Sequence, residues 1–498
     1  MKHFLRLLAL AAGFVLLAAT PPDQLVIAVA SDFVSLDPAV SPNSNDQQIM
    51  SLTYDRLTAI DPKDGRALPA LATSWRPSAD ATQWTFSLRK ENFQDGTPVT
   101  ADAVAYTFER IRKVGRATAE SLFWLKKVDV VDKQTVRFEL NVPFPVLPQL
   151  LAVPGFVIVN PAVVRAHESG GDNGSAWLSE HSAGSGPYRI ASWDHGQRLV
   201  LERAGSGGGP RLVVYQIVPD PASRRVQLQK GDVDVVGAIG AREAPEWAKL
   251  AGVALETSHV PNTLFYLTLN TKRKPLTDPR ARRAIALAID YQGLQKDVLG
   301  GNAVLLNGPI PPGFPAYDAR RPAPHRDLAA AKKLLAEAGV PAGTSLRYVV
   351  GQPGPVSQYV QANLHDLGLD ARFQQLAPAA MDAARSSGDF DMIYDGFTMD
   401  YPDPSIIMNL VFPTGAPVNF SRYSNATVDR LLKEAFVETN VPKRLALYDQ
   451  AQRIVVDEMP IVPLFAPDTI VARRTAVTGL RLNPYQSYVF DFSRVTKK

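Results

Sequence analysis

The stretch Asp389-Phe390-Asp391-Met392-Ile393-Tyr394-Asp395-Gly396-Phe397-Thr398-Met399-Asp400-Tyr401-Pro402-Asp403-Pro404 decides how the chain is read. Phe390, Met392 and Tyr394 alternate with Asp391, Ile393 and Asp395, which is the period-two pattern of a strand. Gly396 interrupts the pattern, and a Pro-rich turn follows. Asp400 stands where strand gives way to turn, with Phe397 and Tyr401 close by in sequence. Two readings are open on these residues alone. In one, Asp400 and Asp403 only shape a turn, as Asp and Pro commonly do. In the other, Asp400 receives a ligand ammonium, and the aromatic rings exclude water and strengthen the charge pairing.

Working outward, the surrounding pattern is α/β. A helix over 327–338 ends at Gly339, and one over 356–367 ends at Gly368, both C-cap signals. Strands are expected over 346–350, 371–376, 389–395 and 460–465, with helices around 428–436 and 442–457. Such alternation predicts a largely parallel sheet with helices on its faces. Upstream, 263–270 reads as a strand. Asp278-Pro279 then opens a helix with Asp as N-cap and Pro at its first position. Its apolar face carries Ala281, Ala284, Ile285, Ala288 and Ile289. Nearer the N-terminus, Trp84, Phe86 and Leu88 alternate with polar residues as in a half-buried strand. Thr100 opens a helix, 128–131 and 135–140 form a hairpin, and 199–201 and 212–217 are strands. Between the last two, residues 204–210 are Gly-rich. No Gly-Lys-Ser/Thr follows, so the segment reads as a flexible surface loop and not as a phosphate cradle.

A chain of 498 residues suggests about three domains. Its 46% apolar and 20% charged composition is that of a globular protein, and the net charge of +4, without a basic block, argues against a nucleic-acid partner. Met1–Arg6 is basic, 7–18 is apolar, and Ala18-Ala19-Thr20 supplies small residues. Residues 1–20 therefore read as a secretory signal peptide, too short for an ordinary membrane span; an uncleaved anchor is the competing reading. The chain has no cysteine, which excludes disulfides, thiolate metal sites, a Cys nucleophile and a Cys-linked lipid anchor. A free protein in an enclosed compartment such as a periplasm fits these features. The common catalytic signatures are missing: no G-x-S-x-G, H-E-x-x-H or Walker A motif occurs. The seven histidines never lie three to five residues apart, so no local metal motif exists. No cofactor is expected, and what remains is binding.

One ordered set of motifs is specific. Ser35–Pro38, Leu71–Trp75, Trp84–Arg89, Phe93–Thr97 and Thr100–Arg110 occur in sequence. Gly184-Ser185-Gly186-Pro187-Tyr188, Lys230–Asp234, Asn270 with Pro275–Ile289, and Asp400–Pro404 follow. Together they resemble the extracytoplasmic solute-binding proteins of peptide- and nickel-type ABC transporters, the dipeptide/oligopeptide-binding group. The likeness runs from about residue 24 to 495. It implies a two-lobed periplasmic-binding-protein fold of the large three-domain, type II form. The first lobe would comprise 22–55, 178–264 and 478–498, an inserted β-rich subdomain 56–177, and the second lobe 265–477. It also implies a monomer that closes on a small-molecule or peptide ligand and docks on membrane permease subunits. In peptide-binding relatives the Asp of the D-Y-x-D-P motif pairs with the peptide ammonium, and the matching residue here is Asp400, with Phe397 and Tyr401 nearby. Asp32, Phe33, Ser185, Asn262 and Phe265 are further pocket candidates, each with turn shaping or core packing as the alternative. Dipeptide-binding relatives hold the ligand carboxylate with an Arg after the strand matching 346–350. Here Gly351-Gln352-Pro353-Gly354-Pro355-Val356 offers no cation, which disfavours a zwitterionic dipeptide; backbone N–H groups at Pro355-Val356 are a weaker anion site. A secreted hydrolase and a receptor-coupled sensory or chaperone-like binding protein are the alternatives to transport.

Overall fold

The computed structural model describes residues 20–41 and 43–498, so the expected signal segment lies almost wholly outside the described residues. Among those described, no helix is long and apolar enough to cross a membrane.

Two mixed sheets form the lobes. The first is seven-stranded, in the order Val253–Ser258, Thr469–Arg474, Val235–Val236, Gln24–Val29, Leu212–Ile217, Arg198–Arg203, Tyr188–Asp194. The second is six-stranded: Ala303–Leu305, Ile461–Pro467, Thr263–Leu269, Met392–Thr398, Thr344–Val350, Leu369–Gln375. The expectation of a largely parallel second sheet is corrected. Thr344–Val350 pairs in parallel with both Leu369–Gln375 and Met392–Thr398, as strands separated by crossover helices do. Thr263–Leu269 instead enters directly from the first sheet, Ile461–Pro467 leads directly into it, and the two pair antiparallel.

These two connections define the hinge. The chain passes between the sheets at residues 259–262 and at Asp468, and the two crossings touch where His259 Nδ1 lies 3.0 Å from Asp468 Oδ2. Consequently Thr469–Arg474, expected in the second lobe, is a strand of the first sheet.

A third, four-stranded antiparallel sheet (Ala72–Pro77, Gln83–Leu88, Thr135–Leu140, Leu125–Asp132) lies in the expected insert. Its inward residues Trp84, Phe86 and Phe138 share one core with Leu264, Tyr266, Met399 and Phe412 of the second lobe. Trp124 is fully buried there, and a fully buried side chain of this kind contributes roughly 1.5–3 kcal/mol. A buried ion pair ties the insert to the first lobe. Arg110, on the helix Ala101–Val114, donates to both oxygens of Asp37 at 2.8 and 2.7 Å.

Short motifs find their reasons in close approaches. A Cβ on Gly184 would lie 2.1 Å from the Thr53 carbonyl oxygen, and one on Gly186 2.5 Å from the Thr53 carbonyl carbon, so the Gly-Ser-Gly run packs directly on the end of the helix Ser44–Thr53. In the Gly-rich segment, Cβ atoms on Gly208 and Gly209 would lie 2.4 and 2.3 Å from the carbonyl oxygens of Ser493 and Phe492. These two glycines belong to a packed joint, so the flexible-loop reading is corrected for them.

Candidate functional site

The strand expected over 389–395 runs from Met392 to Thr398, through Gly396. Gly396 does not break it; it pairs with Phe265 on the neighbouring strand. An ideal Cβ at Gly396 would stand 3.1 Å from the Phe265 ring, so the missing side chain makes room for that ring. Phe265 then stacks between Tyr394 and Phe465, with ring centroids 5.6 and 5.2 Å away.

This stack borders a cavity of about 980 Å³ at the C-terminal edge of the parallel strands. Gly351 and Gln352 leave one strand there, Gln375 and Leu376 another, and Tyr394, Asp395 and Gly396 belong to the third. Ligands of open α/β sheets bind outside the carboxyl ends of the strands. Met381, Asp382 and Arg385 of the helix Pro378–Ser387 complete the wall. Arg385 is the cation among the lining residues, and it donates to Asp382 at 2.8 Å and to Asp395 at 3.1 Å. Burial raises the Tyr394 phenol well above its ordinary pKa, so the ring stays neutral. Neither Pro355 nor Val356 is among the lining residues, so the helix start proposed as an anion site stands apart from the cavity.

The candidates from sequence fall into three groups. Of Asn262, Phe265, Phe397, Asp400 and Tyr401, Phe265 lines this cavity and the other four do not. Phe397, Asp400 and Tyr401 lie at the end of the strand Met392–Thr398 and in the turn after it, and Asn262 lies in the crossing at 259–262, next to where Thr398 pairs with Thr263. Buried Asn262 accepts from the Met399 N–H at 2.7 Å through its carbonyl and from the Ser487 hydroxyl at 3.0 Å through its side chain. Phe397 is half-buried against the core shared with the insert. The half-buried Asp400 has its carbonyl 3.3 Å from the Gln486 amide, which donates to it. Tyr401 is buried, its hydroxyl 3.5 Å from Ser405 Oγ and its phenol pKa raised by burial.

In the second group, Asp403 shapes the turn. Its carboxylate receives Arg444 Nη1 and Nη2 at 2.7 Å each and accepts from the N–H of Ser405, the first residue of the next helix, at 2.9 Å. Burial opposes the Arg444 charge, and Asp403 outweighs it, so the guanidinium pKa rises above its ordinary value. Within the D-Y-x-D-P run the turn-shaping reading holds for Asp403, which builds the turn that carries Asp400.

The third group lies on the first lobe. Asp32 accepts from Phe33 N–H, Trp193 Nε1 and Gly196 N–H at 2.9, 3.0 and 2.6 Å. Burial works against its charge; the Gly196, Phe33 and Trp193 donors outweigh it and hold the carboxyl below its ordinary pKa. Phe33 is buried edge-on to Trp193 and Tyr215, in the first-lobe core. Ser185 donates to Asp55 at 2.8 Å, and burial raises the Asp55 pKa. Arg385 and Tyr394 escaped the candidate set. Their only sequence signal is a lone Arg in an amphipathic helix and an aromatic on a strand, neither of which announces a shared cavity.

Two α/β lobes joined by paired crossings, with a cavity at the strand ends of the second, define a hinged binding protein. The sequence profile of the bacterial extracellular solute-binding proteins, family 5, matches residues 66–417, and the chain belongs to this family. It is 36% identical to the probable D,D-dipeptide-binding periplasmic protein DdpA of Escherichia coli (strain K12), over 96% of this chain and 95% of that one. It is 28% identical to the glutathione-binding protein GsiB of Salmonella choleraesuis (strain SC-B67), over 98% of each. Among solved structures it resembles the ABC transporter-associated periplasmic binding protein DppA of Helicobacter pylori in complex with the peptide STSA. That match has a TM-score of 0.81 and 25% identity, over 95% of this chain and 98% of the other. The protein is thus a two-lobed extracellular solute-binding protein.

Proposed function

We propose that the chain captures a short peptide or peptide-like, amine-bearing solute between its lobes, without turnover, and delivers it to an ABC permease from the periplasm. The cavity at the strand ends of the second lobe carries this reading. Closure of the first lobe over it removes water and strengthens each polar contact. Asp400 receives the ligand ammonium, and the aromatic residues around the hinge shield that pairing. The relatives support a peptide-like ligand, because a D,D-dipeptide, glutathione and the peptide STSA are what their names give.

A thermal-shift panel tests the reading. D-Alanyl-D-alanine, L-alanyl-L-alanine and their N-acetyl forms are compared, with product analysis of the same tubes. A ligand at 100 times its Kd stabilises by about 2.7 kcal/mol. The free-amine peptides are expected to raise the melting temperature, the acetylated ones to fail, and no cleavage to occur. Equal shifts with acetylated peptides would refute the ammonium site, and turnover would favour the hydrolase alternative.

A further inference from the structure

The segment 351–356 carries no cation for a ligand carboxylate, yet Gly351 and Gln352 border the same cavity as Arg385. We propose that Arg385 receives the ligand carboxylate and that Asp382 holds that place until the ligand arrives. This rests on the peptide-like ligand proposed above and names its other end.

The two carboxylates on Arg385 are unlike. The Asp395 side chain is 8% exposed, against 75% for Asp382. Asp395 Oδ1 accepts from Arg385 Nη2 at 3.1 Å, while its Oδ2 is enclosed and has no hydrogen-bond partner among protein atoms. A ligand cannot reach that oxygen, so Asp395 keeps its hold on the guanidinium when a ligand enters. Arg385 itself is 23% exposed and lines the cavity. A guanidinium has five N–H donors in a planar fork; with Asp395 kept and Asp382 displaced, four remain, enough for a bidentate carboxylate. Asp382 reaches Arg385 from one helical turn away on an exposed surface, a pairing worth little in water. A ligand carboxylate that displaces it leaves the charge count on the guanidinium unchanged. Asp382 returns to water at small cost, while the incoming pair becomes enclosed as the lobes close.

The test is calorimetric titration of the full chain with D-alanyl-D-alanine and with its C-terminal amide. Arg385→Gln is expected to weaken the acid about thirtyfold or more, about 2 kcal/mol, and the amide less than about threefold. Asp382→Asn leaves the Arg385–Asp395 pair intact and keeps the test valid if Arg385→Gln folds poorly. It is expected to tighten the acid by roughly two- to fivefold and leave the amide unmoved, because it removes a competitor of modest strength. Equal losses for acid and amide in Arg385→Gln, or no gain for the acid in Asp382→Asn, would overturn the assignment. If the unsubstituted protein binds acid and amide alike, the peptide reading stands and this assignment alone falls. If it binds neither, the peptide reading fails and takes this assignment with it.

Discussion

Replacing Asp403 by Asn removes one charge from the turn that carries Asp400, and the structure sets the cost. Asp403 and Arg444 are each 4% exposed, and their two hydrogen bonds are 2.7 Å long. The Arg444 Nε already lacks a protein partner, and besides this carboxylate the guanidinium meets the Tyr448 ring, 5.0 Å from its centroid, so Asp403 is the charge that balances it. Asn presents one acceptor where two stood and turns an NH₂ toward the guanidinium. Breaking a buried pair from one side costs about 3–5 kcal/mol, because the remaining charge stays buried without compensation. That is at least a fifth of the stability of a typical fold, about 5–15 kcal/mol. Urea unfolding followed by tryptophan fluorescence measures it, without ligand. The double variant Asp403→Asn, Arg444→Met should lose clearly less than the single one, since no lone charge remains. A single-variant loss below about 1 kcal/mol, or a double loss larger than the single, would refute the assignment of Asp403 as anchor of the turn.

The Gly-Ser-Gly joint offers a steric test. Gly186→Ala places a Cβ 2.5 Å from backbone atoms of Thr53 and Tyr54, so it should cost at least about 2 kcal/mol in the same unfolding assay. Gly207→Ala, which meets nothing within 4 Å, should be neutral or slightly stabilising. Asp32 supplies a pH test. Its folded pKa is lowered, so its contribution is present above the unfolded value of about 3.9 and is lost as pH falls through the folded value. The melting-temperature gap between the protein and Asp32→Asn should therefore be largest near neutral pH, reflecting about 1–2 kcal/mol, and narrow below about pH 4; a constant gap would contradict the assignment.

Period and cap signals placed most helices and strands of the second lobe, because each depends on a few neighbouring residues. Asp278 caps its helix through Arg280 N–H at 2.8 Å, and Ala281, Ala284, Ile285, Ala288 and Ile289 are all buried. Pairing direction was not legible: nothing within 263–269 says that this strand arrives straight from the other sheet. The strand 469–474 was assigned to the wrong lobe for the same reason. The ordered motifs were legible as a set, yet several work as joints. Asp37 binds Arg110, Gly184 and Gly186 meet a helix end, and Asp234 accepts from Val26 N–H at 2.9 Å. The cavity wall was the least legible part. Phe265, Tyr394 and Arg385 come from three elements, and only the register of Thr263–Leu269 against Met392–Thr398 and the placement of Pro378–Ser387 bring them together.

The most direct measurement is calorimetric titration of the protein and of Asp400→Asn with D-alanyl-D-alanine, alongside their melting temperatures without ligand. One-to-one binding is expected for the unsubstituted protein and at least about thirtyfold weaker binding for Asp400→Asn, with the ligand-free variant still folding cooperatively. Undiminished binding by Asp400→Asn would contradict the assignment, as would a loss of ligand-free stability large enough to explain the weaker binding.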